Sequence, residues 1–257
     1  MELIMATIQY TPPKVIFSLD GEFGATEPDS VVFDTGIVAF VLNEDGITYN
    51  VAGWWHHLNG FNTVQEDRIK TRSTMDWWLF DARSSYKPSP DAVAYLTVEK
   101  RPGNCRVEMM HHANFVQDIL DRYQVDRTNW VVCAKGPDTD CLIYNHRFAQ
   151  LGFEFNYRFA RFASMRDLEP AVSVFNRVGM RAGDSLRENC PIPFAPANWY
   201  SSGDYKTYAK EDQPWKGMPP AVEHVGLYDA WIEGCDAVEY YTIMNALYHG
   251  KAKIITV

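Results

Sequence analysis

From Val15 to Leu19 the chain is largely apolar, and Val31 to Leu42 and Ile47 to Trp55 follow as longer runs rich in β-branched and aromatic residues. Such runs suit the pleated, half-buried surface of a sheet. The second and third are separated by Asn43-Glu44-Asp45-Gly46, a polar cluster ending in glycine that signals a hairpin. Three consecutive antiparallel strands are therefore expected.

Beyond them the apolar period lengthens. Ser73 is placed to cap a helix running through Trp77 and Trp78 to about Arg83, a stretch without Gly or Pro. A second helix is expected over Val107 to Tyr123, where Met110, Ala113, Phe115, Val116, Ile119 and Leu120 recur near the helical period. Trp130 to Ala134 reads as a short buried strand. Asp140 is placed to cap a helix with apolar Cys141, Tyr144, Phe148 and Leu151, ended by Gly152. A strand around Phe155 to Phe162 and a helix from Leu168 to Arg177 follow. Gly179 to Pro220 is rich in Gly, Pro, Ser and Tyr and has no sustained periodicity, which marks a surface insertion. A last helical pattern carries Tyr228, Trp231, Ile232, Val238, Tyr241, Ile243 and Leu247. Three antiparallel strands followed by alternating helices and strands predict an α/β domain with a mixed sheet. Residues 15–257 are expected to form it, with an insertion at about 179–220 and residues 1–14 as an N-terminal extension.

Composition changes this picture little. The chain has 257 residues, 46% hydrophobic and 14% aromatic, enough for one substantial core. No stretch approaches the roughly 18 to 20 apolar residues that cross a bilayer, and Met1 to Thr11 lacks the pattern of a signal peptide, so a cytoplasmic protein with no membrane partner is expected. Five cysteines without CxxC spacing argue against a disulfide framework or a zinc ribbon. Charge matters more. A net charge of -9 disfavours sequence-independent binding of a polyanion unless cations cover some carboxylates and arginines guide the strand. Arg158, Arg161 and Arg166, and separately Arg177, Arg181 and Arg187, are candidates for such a surface.

The candidate chemistry is acidic. In Phe17-Ser18-Leu19-Asp20-Gly21-Glu22-Phe23 the carboxylates of Asp20 and Glu22 stand two apart, so an extended strand projects both from one face. Hard cations such as Mg²⁺ take oxygen ligands of this kind and need no dedicated cage. Asp167 and Glu169 repeat the spacing, where a helix N-terminus is the more natural role. His224 precedes Asp229 by five, a spacing that separates them by about 140° on an ideal helix. His224 therefore belongs on the turn entering the last helix, with Asp229 in its first turns. Trp54, Trp55, His56 and His57 fit strand alternation, and with His111 and His112 they receive no chemical role. Trp77 and Trp78 read as packing residues.

Asp20-Gly21-Glu22, Asp140, and His224 with Asp229 together resemble the three motifs of the DEDDh exonucleases of the RNase H-like (DnaQ-like) superfamily. Asp138 competes with Asp140 for the second motif; Gly136 at the family's spacing and the helix beginning after it favour Asp140. Asp34-Thr35-Gly36-Ile37-Val38 with Ala39-Phe40, and Ser73-Thr74-Met75-Asp76-Trp77-Trp78, are further similar to the branch containing phage exonuclease A and the mycobacterial-type exoribonuclease. The resemblance spans about Val15 to Tyr241.

It implies an RNase H-like mixed five-stranded sheet, three antiparallel strands and then parallel ones, flanked by helices. It also implies two Mg²⁺ (or Mn²⁺) ions held by Asp20, Glu22, Asp140 and Asp229, with His224 as general base. The implied reaction is 3′-to-5′ hydrolysis of single-stranded or 3′-ended DNA or RNA, releasing nucleoside 5′-monophosphates. Gly21 and Phe23 become candidates to touch the terminal nucleotide, Phe23 by stacking. A catalytically silent nucleic-acid or protein binding module on the same fold is the alternative.

Overall fold

The computed structural model describes residues 10–59, 68–80, 105–126, 128–157, 160–168, 170–171 and 226–250. Among the described residues nine elements follow in order: β1 (Val15–Phe23), β2 (Val32–Leu42), β3 (Tyr49–Leu58), α1 (Arg72–Phe80), α2 (Cys105–Arg122), β4 (Trp130–Ala134), α3 (Pro137–Gln150), β5 (Arg161–Ser164) and α4 (Gly226–Tyr248). The strands form one sheet in the order β3-β2-β1-β4-β5. β1, β2 and β3 pair antiparallel, whereas β4 runs parallel to β1 and β5 parallel to β4. This is the mixed five-stranded sheet expected from the sequence. Among the described residues no helix is long and apolar enough to cross a membrane.

Strand alternation divides the core in two. Val15, Phe17 and Leu19 face α2 and α3, where they meet Phe115, Val116, Tyr144 and Phe148. Ile16, Val38 and Phe40 face α4, against Leu227, Trp231, Cys235 and Val238. With both faces covered, β1 is continuously buried from Val15 to Leu19, which explains why that segment reads as an apolar run rather than a clean alternation. Phe17 anchors its side edge-on between Phe115 and Trp130, with ring centroids 6.5 and 5.6 Å away.

Several boundaries differ from the sequence expectation. β1 continues four residues past Leu19, so Asp20 and Glu22 lie within a paired strand opposite Gly36 and Asp34. Thr71 rather than Ser73 caps α1: its hydroxyl accepts from the Thr74 amide at 3.4 Å, because the helix starts two residues earlier, at Arg72. Asp140 does not cap α3. Gly136 holds the cap position and Pro137 the first helical one, where a fixed φ and a missing N–H are harmless, so Asp140 is the fourth helical residue. β5 begins only at Arg161, since Phe155 and Tyr157 turn inward against Phe148 and cannot extend along the sheet edge. Residues 165–168 and 170–171 are helical, so this helix begins before Leu168; residues 169 and 172–177, the 179–220 insertion and residues 81–83 lie outside the described residues.

α4 lies unusually close to the sheet. A Cβ on Gly234 would stand 2.4 Å from the Phe40 ring and 2.9 Å from the Ser18 Cβ, and one on Gly36 would stand 2.2 Å from the Gly226 backbone. Glycine inside a helix costs about 1 kcal/mol relative to alanine, so propensity alone predicts that Gly234→Ala stabilises. Overpacking a filled core costs about 1–3 kcal/mol and here wins. Gly234→Ala should lower the unfolding free energy in urea melts. Gly53→Ala, whose Cβ would meet Phe115 at an ordinary 3.5 Å, should change it by less than about 1 kcal/mol.

Candidate metal centre

The carboxyl end of β1, the central strand, and the N-terminal turns of α3 and α4 lie at the same end of the sheet. Asp20 and Glu22 project from the β1 face that carries Ile16 and Ser18, toward α4. Asp229 is the fourth residue of α4 and faces back. One carboxylate oxygen from each of Asp20, Glu22 and Asp229 lies within 4.8 Å of the others. Residues more than two hundred positions apart thus converge on a single point.

Such convergence is costly without a counter-charge. Two full negative charges about 5 Å apart repel by roughly 3 kcal/mol at an effective dielectric of about 20. Burial pushes the Asp20 carboxyl well above its ordinary pKa, and the charges of Glu22, Glu233, Asp229 and Asp140 push it further. Burial likewise raises Glu22, followed by Asp229, Asp34, Asp140 and Glu233. Both side chains keep part of their surface open to solvent, so a small ion can reach them. Asp20 Oδ2 is itself buried and has no hydrogen-bond partner. An orphaned buried carboxylate oxygen beside two further carboxylates fits a hard divalent cation, which would supply the missing charge and take oxygen ligands.

Asp140 stands outside this close triad, yet both Asp20 and Glu22 sense its charge. It is buried, and burial pushes its carboxyl up to about 7, against the lowering effects of the Gly136 backbone and the Arg166 guanidinium. Arg166 is exposed, and a Cβ on Gly136 would lie 3.9 Å from Asp140 Oδ2 and 4.0 Å from an Arg166 nitrogen, so both groups converge over that glycine. Asp138 is exposed and stands apart in chemistry from the buried Asp140. Asp140 and Asp229 each occupy the first turn of a helix, where the positive end of the helix dipole favours negative charge.

His224 lies outside the described residues, two positions before α4. The Phe23 ring folds back over Gly21, at 2.3 Å from where a Cβ would be, and meets Tyr144 edge-on with centroids 5.8 Å apart. It is half-buried against the α2–α3 core rather than free-standing, and its carbonyl accepts the indole N–H of buried Trp78 at 3.1 Å. Gly21 needs its missing side chain, since a Cβ would also stand 2.6 Å from Tyr144 Oη. That hydroxyl hydrogen-bonds Thr35 Oγ1 at 2.7 Å. Of the arginines proposed as a strand surface, Arg161 and Arg166 are exposed; Arg158, Arg177, Arg181 and Arg187 lie outside the described residues.

Two further acidic residues belong to the site, although the sequence reading assigned neither a chemical role. Glu233 is buried one turn after Asp229, and its charge reaches both Asp20 and Glu22. The spacing of four from Asp229 places both on one helix face, a signal present in the sequence but not distinctive. Asp34, fully buried, is the cross-strand partner of Glu22. His56 and His57 point to opposite faces as alternation requires: His56 Nε2 lies 2.6 Å from Asp34 Oδ1, and His57 Nε2 lies 3.1 Å from Glu108 Oε1. His112 is a core residue. It is fully buried among Trp55, Tyr144 and Phe148, bonded to Tyr157 Oη, and burial depresses its pKa to about 3.

In structure the chain is similar to cell-death related nuclease 4, with a TM-score of 0.36 and 11% sequence identity; the match covers 77% of this chain and 62% of that one. No family model and no curated protein matches the chain.

The raised carboxyls have a sign-definite consequence. Unfolded, these groups titrate near 4, whereas folded Asp140 titrates at about 7 and Asp20 and Glu22 are also raised. The folded chain binds more protons across that window, so their contribution to stability is complete below about pH 4 and is lost as pH rises through the folded values. In EDTA, the melting temperature should fall between pH 5.5 and pH 8 by calorimetry. The fall should be smaller in Asp20→Asn, and smaller again for the unmodified protein in excess Mg²⁺. A melting temperature indifferent to both changes contradicts the assignment.

Proposed function

We propose that this protein is a metal-dependent 3′-to-5′ exonuclease of the DEDDh kind, hydrolysing phosphodiester bonds at the 3′ ends of DNA or RNA. The observation that carries the reading is the meeting of Asp20, Glu22 and Asp229 within 4.8 Å, with a buried Asp20 oxygen left without a partner. The motif resemblance adds the reaction class and its direction, and Asp229 of its third motif stands in the first turn of α4.

Asp20, Glu22 and Asp229 would hold the divalent cations, with Asp140 completing the set from the first turn of α3. Mg²⁺ or Mn²⁺, when bound, supplies positive charge to the scissile phosphate and lowers the pKa of water. Around that centre the chain's own groups orient and exchange protons. His224, two residues before α4, would take the proton of the attacking water, a role suited to a side chain that titrates near neutrality. Arg166, exposed beside Asp140, is placed to meet a phosphate oxygen of the strand. Gly21 and the half-buried Phe23 would border the terminal nucleotide. The branch of phage exonuclease A and the mycobacterial-type exoribonuclease is the finer placement.

Losing a cation ligand removes several kcal/mol of transition-state stabilisation, or about 10³-fold in rate. Asp20→Asn and Asp229→Asn should each lower hydrolysis of a 5′-labelled oligonucleotide by about that factor while the circular dichroism spectrum is kept. His224→Ala should slow single turnovers with little change in Mn²⁺ affinity. Mononucleotides should appear from strands with a free 3′ end and not from 3′-blocked ones. Retained activity in folded Asp20→Asn, or strand binding without any product, refutes the reading; the latter outcome favours a silent binding module.

A further inference from the structure

Among the acidic residues on the α4 side of the sheet, Asp34 differs from Asp20 in one respect. Its oxygens are already taken by the protein. Oδ1 accepts the Thr35 amide at 2.7 Å and faces His56 Nε2 at 2.6 Å, while Oδ2 accepts the amide of Gly226 at 3.0 Å. A fully buried carboxylate with this set of donors has little capacity left for a cation, although its strand partner is Glu22. What it holds is the first residue of α4, 192 positions away in the chain.

That bond sits where α4 touches the sheet. Gly36 is flanked by Asp20 on β1 and by His56 on β3, and a Cβ at Gly36 would overlap the Gly226 carbonyl. A Cβ at Gly226 would in turn lie 3.0 Å from the Gly36 amide nitrogen, 3.2 Å from the Asp20 carbonyl oxygen and 3.5 Å from the Asp34 carboxyl carbon. Steric fit of the two glycines sets how near the helix end can come. It leaves the helix free to slide or turn over a flat contact of bare backbone. A charge-assisted hydrogen bond to the first free amide of the helix is directional and removes that freedom. Gly226 is three residues before Asp229, so any shift of the helix end displaces the Asp229 carboxylate relative to Asp20 and Glu22.

We propose that Asp34, oriented by His56, is the positioning residue of this centre: it pins the start of α4 to the sheet so that Asp229 meets the two β1 carboxylates. The proposal rests on the reading of Asp20, Glu22 and Asp229 as cation ligands. Asp34 acts through Asp229 and touches neither ion nor substrate. Partners that orient metal ligands typically change affinity about 10- to 100-fold when removed.

Asp34→Asn preserves size but leaves a single acceptor oxygen, so the side chain can no longer accept the Thr35 amide on one side and the Gly226 amide on the other, and the bridge between strand and helix is broken at one end. Two measurements on the full chain test it. In metal-free protein, amide hydrogen exchange over residues 226–230 should accelerate at least about tenfold, with β4 and α2 unchanged. Free Mn²⁺ counted by electron paramagnetic resonance should then give a dissociation constant raised at least about tenfold. A general loss of stability would instead speed exchange in β4 and α2 as well, which overturns a positioning role. Unchanged Mn²⁺ affinity also overturns it. If Asp34→Asn does not fold, His56→Gln, which removes the imidazole that lies against Asp34 Oδ1, must show the same local acceleration and a smaller loss of affinity. Failure of the unmodified chain to bind Mn²⁺ would refute the exonuclease reading instead, and the exchange measurement alone would then decide whether Asp34 anchors the helix.

Discussion

Two glycine backbones in contact, Gly36 in β2 and Gly226 at the start of α4, set where the rest of the site can stand. A side chain at Gly36 would occupy the space of the Gly226 carbonyl, so the helix end can reach the sheet only because both residues lack one. Gly234 repeats the close approach two turns later, over Ser18 and Phe40. α4 is thereby held flat along β1 and β2, and its first turn arrives over the strand segment that carries Asp20 and Glu22. The buried face of α4 contributes the apolar half of this contact through Leu227, Trp231 and Val238.

The same geometry creates an electrostatic problem that only part of the protein solves for itself. Asp34 is a buried carboxylate satisfied by two backbone N–H donors, with the His56 imidazole 2.6 Å from Oδ1. Asp20 is not, and Glu22, Asp229, Glu233 and Asp140 surround it with like charge. The N-terminal turns of α3 and α4 bring partial positive charge to the same place, and Arg166 adds a full one beside Asp140. These contributions are smaller than the repulsion among several carboxylates, so the cluster either holds protons or waits for a cation. A centre of this kind trades stability at neutral pH for readiness to bind, and the sheet and its two covering layers carry the cost.

Much of this was legible along the chain. The Asp20-Gly21-Glu22 spacing already required both carboxylates on one strand face, and Asp229 fell in the first turn of a helix as the pattern beginning near Tyr228 implied. Trp130 to Ala134 matched its strand to the residue, because a five-residue apolar run between polar turns has no other comfortable conformation. Where sequence reading missed, a neighbour in space or a competing cap decided: Pro137 drew the start of α3 upstream of Asp140, and Thr71 outcompeted Ser73. Phe155 and Tyr157 resembled strand residues, but the aromatic cluster around Phe148 and His112 drew them inward.

The sequence by itself determined the element types, the order of strands that could form a mixed sheet, and which acidic side chains share a face within one element, because these follow from periods of two and 3.6 residues and from local turn chemistry. Only the tertiary structure decided that Asp34 is a structural anchor while Asp20 is left open, that His56 belongs to the anchor, and that Glu233 lies beneath the cluster. Those roles depend on which amide or charge is brought near across nearly two hundred residues, and no local pattern encodes a hydrogen bond made only once the helix has docked.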